Sequence, residues 1–209
     1  MKFFFYKTFC LEKKLFLHKS MIKFFEQTLK HFKTTGAVAA SSDELSELLV
    51  TTANIKKAQC IVEFGPGTGA VTKFILKYKN PEALFFAIEM NPVFVEATKK
   101  SCPQAIVYHD NAINLPKYLE QHNQKYCDII YSGLPWTLID DKVQDKLLDV
   151  IYDNLKENGE FLTFAYIHGV YLPNGIKFRK KIEKRFRKVI KTKTVWLNTP
   201  PAFVYHAIK

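Results

Sequence analysis

A chain of 209 residues with 47% hydrophobic residues is long enough for one α/β domain with a substantial core and a modest extension. Its net charge of +11 points to an anionic partner, nucleic acid or an acidic membrane surface, without choosing between them. Cys10, Cys60, Cys102 and Cys127 form no C-x-x-C pair, so they argue against a zinc or redox motif and for reduced thiols in a cytoplasmic protein.

Residues 1–33 interleave bulky apolar residues with lysine, and from Met21 the residues Ile22, Phe24, Phe25, Leu29 and Phe32 recur at helical spacing. Such a basic amphipathic helix either lies in a headgroup region with its lysines toward anionic lipid or packs on the domain. Lys7, Glu12, Lys13 and Lys14 break any apolar run, so neither an export signal nor a membrane span is expected, and Met21 is an alternative start. The remaining residues, 34–209, read as one domain. The small residues of Thr34 to Ser42 lead into a helix from about Asp43 to Ala53, with Ser41 and Glu44 spaced as a capping box.

Ile61, Val62 and Phe64 form the short apolar run of a buried strand. Gly65-Pro66-Gly67-Thr68-Gly69 follows, and then a helix with Val71, Phe74 and Ile75 on one face. A second strand, Leu84 to Ile88, ends at Glu89, about twenty residues beyond the loop, where a ribose-binding carboxylate is expected in a nucleotide-type α/β unit. A dinucleotide loop runs G-x-G-x-x-G and presents a helix N-terminus to pyrophosphate. Here the glycines alternate and Glu63 lies in the strand end, unwelcome to an anion but suited to S-adenosylmethionine, whose sulfonium and ammonium are cationic. This pattern resembles the first two motifs of the class I methyltransferases.

Asn91-Pro92 opens a helix to about Lys100. Ala105 to Tyr108 is a third strand, followed by His109-Asp110-Asn111-Ala112. In the methyltransferase layout an acid here receives the adenine amino group while neighbouring backbone contacts the ring, which makes Asp110 the candidate with Asn111 and Ala112 beside it; a helix cap is the other reading of Asp110. Met90, next to Glu89, and Ser132, at the end of the fourth strand, complete the expected cofactor shell. A helix near Ile113 to Gln121 precedes that fourth strand, Asp128 to Tyr131. Ser132-Gly133-Leu134-Pro135-Trp136 then falls where open α/β sheets perform chemistry, at the carboxyl ends of strands.

Lys142 to Leu155 reads as a helix stopped by Asn158-Gly159, and Phe161 to Tyr166 as a fifth strand leading into a loop at His168. Phe178 to Lys193 carries a dense basic run, either a solvated helix or a face for an anionic partner. Lys193 to Leu197 and Phe203 to Ile208 are expected to pair as terminal antiparallel strands.

Thr35 to Ser42, Val62 to Gly69, Ser132 to Trp136, and Asn198-Thr199-Pro200-Pro201-Ala202-Phe203-Val204-Tyr205 together resemble the soluble bacterial phospholipid N-methyltransferases, relatives of the rRNA adenine dimethylases. The resemblance runs from about Phe24 to the C-terminus. It implies a three-layer, Rossmann-like α/β fold with a mostly parallel seven-stranded sheet and a terminal antiparallel hairpin. It also implies stepwise methyl transfer from S-adenosylmethionine to phosphatidylethanolamine, by a protein attached peripherally to the inner face of the cell membrane. Three departures stand out: the leader before Met21, Ile167-His168 between Tyr166 and Gly169, and Gly133 where the adenine dimethylases carry Asn. Tyr166 and His168 are the candidate proton acceptors, and Trp136 with Tyr166 a candidate cage for a methylated ammonium. An adenine of rRNA is the rival acceptor. No metal is expected, and oligomeric state is left open.

Overall fold

The computed structural model describes residues 42–209; the expected helix in residues 1–33, the small-residue segment up to Ser41 and the Ser41 cap lie outside them. Seven strands form one sheet in the order β3-β2-β1-β4-β5-β7-β6. These are β1 (Cys60–Phe64), β2 (Leu84–Glu89), β3 (Ile106–His109), β4 (Cys127–Ser132), β5 (Leu155–Tyr166), β6 (Lys188–Lys191) and β7 (Ala202–Ile208). β1 to β5 run parallel, while β7 inserts antiparallel between β5 and β6. This is the three-layer α/β sheet that the sequence leads one to expect.

The helices are α1 (Asp43–Thr52), α2 (Thr72–Tyr78), α3 (Pro92–Ser101), α4 (Leu115–Gln121), α5 (Asp141–Asn154) and α6 (Pro173–Arg185). Right-handed crossovers outward from β1 to β2 and β3 place α2 and α3 on one face. The return to β4 and β5 puts α4 and α5 on the other. α1 packs on α2, and α5 on both α4 and α6, as this arrangement requires. The chain order reverses between β1 and β4, and a crevice opens at the carboxyl ends of strands at such a switch point. β1 is buried along its whole length, which explains its unbroken apolar run around Glu63.

Three boundaries differ from the sequence reading. The cap of α1 is Ser42, whose hydroxyl accepts from the Leu45 N–H at 3.2 Å. Helix α5 ends at Asn154, and Leu155 already pairs with Cys127; Asn158, in the left-handed region at φ 61°, makes a bulge inside β5 in place of a helix stop. The hairpin partner of β7 is Lys188–Lys191, with Lys188 opposite Ile208 and Lys191 opposite Tyr205. Of Lys193 to Leu197, only Val195 bridges to Ala202. The physical reason is that β6 is an outer strand: an edge tolerates lysines facing water, so a basic run is compatible with a strand there. The same basic run is also partly neutralised within the chain. Lys181 pairs with Asp141 and Asp145, and Arg185 with Asp145 and Asp149, across α5 and α6.

Candidate active site

The glycine loop is a left-handed turn at the carboxyl end of β1, with Gly65, Gly67 and Gly69 at φ 68°, 61° and 88°. Gly67 is the position where this matters for a ligand. Its N–H donates to Glu89 Oε2 at 3.2 Å, and a Cβ added there would meet nothing within 4 Å. Bare backbone therefore borders open space beside a carboxylate. The other Glu89 oxygen accepts from Asn91 N–H at 2.9 Å, so this side chain links the glycine turn to the start of α3. Two hydroxyls on α3 fix the loop from below: Thr98 donates to the Gly67 carbonyl and Ser101 to the Thr68 carbonyl, each at 2.8 Å.

Glu63 is 1% exposed and accepts a 2.7 Å hydrogen bond from Thr72 on α2. Burial pushes its carboxyl up to about 8, against the pull of the Thr72 hydroxyl, and the charge of Glu89 pushes the same way. Glu89 is raised as well, again by burial, though the N–H groups of Asn91 and Gly67 oppose the shift. Among the described residues no lysine or arginine pairs with either acid. Two buried, unneutralised carboxyls beside an open glycine turn fit a cationic ligand such as S-adenosylmethionine and disfavour a pyrophosphate.

Asp110 follows β3 beside Glu89, its N–H donating to the Glu89 carbonyl at 3.0 Å. Its carboxylate accepts from Asn111 N–H and Asn114 Nδ2, both at 2.7 Å, and from the Tyr118 hydroxyl at 2.6 Å. Burial would raise this acid, but the hydroxyl, the two nitrogens and Lys117 outweigh it and hold the carboxyl below its usual range. Asp110 is thus ionised and heavily engaged in its own loop. Asn111 caps the short 3-10 turn that begins at Ala112, and the Met90 carbonyl lies 3.1 Å from His109 Nε2.

On the acceptor side, Gly133 N–H donates to the Phe64 carbonyl at 2.8 Å, and a Cβ at Gly133 would stand 2.5 Å from the Gly65 carbonyl oxygen. The tips of β1 and β4 approach too closely for any side chain there. Ser132 and Trp136 turn inward. The Trp136 Nε1–H donates to Ser132 Oγ at 3.2 Å, and the indole is 3% exposed, stacked on Phe178 at 4.7 Å and edge-on to Phe161. These two residues shape the loop from inside, and Trp136 offers no open face for a methylated ammonium. Tyr166 and His168 stack with ring centroids 5.8 Å apart; His168 is exposed and Tyr166 half-buried. Burial raises the Tyr166 hydroxyl, so it keeps its proton at neutral pH and cannot serve as the base.

Residues 41–201 match the ribosomal RNA adenine dimethylase family. The chain belongs to that family. It is accordingly an S-adenosylmethionine-dependent methyltransferase. It is 25% identical over 190 residues to the ornithine lipid N-methyltransferase of Singulisphaera acidiphila, covering 90% of this chain and 95% of that one. The fold is similar to an O-methyltransferase from Bacillus cereus solved in complex with SAH, with TM-score 0.65, 13% identity, and 90% and 91% of the two chains covered. It is also similar to the magnesium protoporphyrin IX methyltransferase of Synechocystis PCC 6803 with bound SAM, at TM-score 0.56, 10% identity, and 80% and 77% coverage.

In this adenine dimethylase family member the structure brings Glu63, Gly65, Gly67, Gly69, Glu89, Met90 and Asp110 to the carboxyl ends of β1, β2 and β3. Tyr166 and His168 lie apart from them, past the end of β5. Thr72, Thr98 and Ser101, which fix the acids and the loop, were not read from the sequence. Neither was Gln144, buried on α5, whose amide donates to the Trp136 carbonyl at 2.6 Å. Hydroxyls on helices are too common to signal a partner, whether nine residues away as for Thr72 or just over thirty as for Thr98 and Ser101. Among the described residues no group of three His, Cys, Asp or Glu could hold a metal ion.

Proposed function

We propose that this methyltransferase acts on the amine of a membrane lipid headgroup, phosphatidylethanolamine and its partly methylated products or an amino lipid of the kind its relative's name states. The observation that carries this reading is Gly133. The adenine dimethylases hold their target amine with an Asn at that position, and here the Gly65 carbonyl leaves no room for its Cβ. The near full-length match to an ornithine lipid N-methyltransferase supports the same acceptor chemistry, a primary amine tethered to a bilayer. The basic extension in residues 1–33 supplies a means of docking on the inner face of the cell membrane. No helix among the described residues is long and apolar enough to cross a membrane.

When bound, S-adenosylmethionine would supply an electrophilic methyl group on a sulfonium, which an amine lone pair attacks in line as the S–CH₃ bond breaks and the neutral thioether, S-adenosylhomocysteine, leaves. Gly67, Glu89 and Glu63 would hold it, with Asp110 and the backbone of Asn111 and Ala112 beside the adenine. Holding the amine in line supplies most of the acceleration. His168, exposed past the end of β5, receives the proton that the ammonium must lose and passes it to water, while the Tyr166 hydroxyl orients the nitrogen. If His168→Ala and Tyr166→Phe both leave turnover unchanged with the methyl donor saturating, this assignment is wrong.

Expression in a host rich in phosphatidylethanolamine, followed by mass spectrometry of extracted lipids, should show methylated headgroups. An unchanged lipid profile from a soluble, donor-binding protein would contradict the proposal. The rival acceptor, an adenine of rRNA, is favoured by the family's description and the basic C-terminal third; it requires binding that weakens steeply with salt.

Glu63 also sets a pH dependence. Its folded value of about 8 lies above the ordinary 4.5, so between these limits the folded chain holds a proton that the unfolded chain has lost. Stability without ligand therefore falls as pH rises through that window. A cationic ligand favours the carboxylate, so its binding expels the proton and tightens as pH rises toward about 8, then levels off. Isothermal titration in buffers of differing ionisation heat reads the released proton directly, and Glu63→Gln should remove most of the release and of the pH slope, leaving the smaller share that Glu89 contributes.

A further inference from the structure

The loop between β6 and β7 has a fixed base and an apolar tip. Val195, 2% exposed, exchanges backbone hydrogen bonds with Ala202. Asn198, also buried, accepts from Ser42 N–H at 2.9 Å and donates to the Pro200 carbonyl at 2.6 Å. Ile167 N–H, just past the end of β5, donates to the Pro201 carbonyl at 3.0 Å. Between these anchors Trp196 and Leu197 project outward, 72% and 86% exposed. Folding does not require this, because a large aromatic and a leucine turned into water forgo the burial that ordinarily stabilises a chain.

A second apolar group stands at the same edge of the sheet. Tyr171, Leu172 and Ile176 follow β5 directly and are 76%, 46% and 45% exposed. Both groups therefore flank the carboxyl end of β5, where Tyr166 and His168 lie. The segment is strongly basic: from Phe161 to Lys209 there are eleven Lys and Arg residues and a single acid, Glu183, paired with Arg179 at 2.8 Å, and the acids of α5 engage only Lys177, Lys181 and Arg185 of these cations. Exposed aliphatic and aromatic tips beside an excess of cations match an anionic bilayer interface, apolar below the headgroups and negative at them. Nucleic acid would use the cations and stack on aromatic rings, yet leave Leu197, Leu172 and Ile176 without a role.

We infer that Trp196-Leu197, with Tyr171, Leu172 and Ile176, inserts into the anionic lipid interface and seats the acceptor side of the site on the membrane, so that a headgroup amine reaches it from within the bilayer. This rests on the lipid-amine acceptor proposed above and names the surface that presents it. It is built from residues other than those of the extension in residues 1–33.

The chain's two tryptophans allow a direct test, since Trp136 is buried in the core. The full chain is mixed with phosphatidylcholine–phosphatidylglycerol vesicles carrying brominated acyl chains, and methyl transfer to vesicles containing phosphatidylethanolamine is measured in parallel. Trp196 fluorescence should shift to the blue and be quenched by bromine, and Trp196→Phe should lose the lipid-dependent change while keeping vesicle binding. The double variant Trp196→Ser, Leu197→Ser should partition about tenfold or more weakly while methylating a detergent-dispersed acceptor at the wild-type rate. Trp196 that stays open to iodide on vesicle-bound protein, or that only RNA protects, overturns the inference. Methyl transfer without quenching overturns insertion alone; quenching without transfer supports insertion and overturns the lipid-amine acceptor.

Discussion

Gly67→Asn should leave a folded protein that binds S-adenosylmethionine about a hundredfold more weakly, a loss of about 2.7 kcal/mol. The backbone at φ 61° is one that Asn adopts at little cost, unlike other residues with a side chain. A Cβ there meets no protein atom within 4 Å, so the new side chain extends into open space beside the Glu89 carboxylate. Fold and site are thereby separated, since the substitution removes room for a ligand and no contact of the protein. Thermal unfolding without ligand should shift by only a few degrees, and the upward shift that S-adenosylmethionine gives the wild type should vanish. Retained affinity would show that the methyl donor does not lie against Gly67.

Gly133→Asn should have the opposite character, lowering stability by about 3 kcal/mol and the melting temperature by about 6 to 12 °C. The Cβ would lie 2.5 Å from the Gly65 carbonyl oxygen, and the Gly133 N–H bond to Phe64 holds the two strand tips at that separation. Backbone must move, and neither neighbour is a flexible side chain. Gly133→Ala is the informative control, because it carries the same Cβ without the amide and should cost nearly as much. Neither variant should acquire activity on rRNA. A stable Gly133→Asn protein that methylates adenine would place the chain with the nucleic-acid enzymes of its family.

The parts of the fold that sequence conveyed were those whose signal is local. β1, β2 and β4 are short apolar runs buried on both sides, and α3 carries its Asn91 cap and Pro92 in order. The glycine loop with Glu63 and Glu89 was legible because three φ-permissive positions and an acid at a fixed interval rarely coincide by chance. β6 was hidden because its lysines signal solvent without saying whether that solvent lies beside a helix or a sheet edge. The burial of Trp136 is not legible in sequence because it depends on Phe161 and Phe178, distant along the chain, and an aromatic after Pro135 looks the same whether it faces ligand or core. The roles of Thr72, Thr98 and Ser101 exist only once α2 and α3 are laid under the loop.

The central claim, that the methyl group goes to a lipid amine, is tested most directly with both acceptors in one tube. Purified full-length protein is given methyl-labelled S-adenosylmethionine, phosphatidylethanolamine vesicles and unmodified small-subunit rRNA, and label is counted separately in the organic extract and the precipitated RNA. The account expects label in the lipid fraction, on nitrogen, with RNA at background. Label in adenine with none in lipid would contradict it.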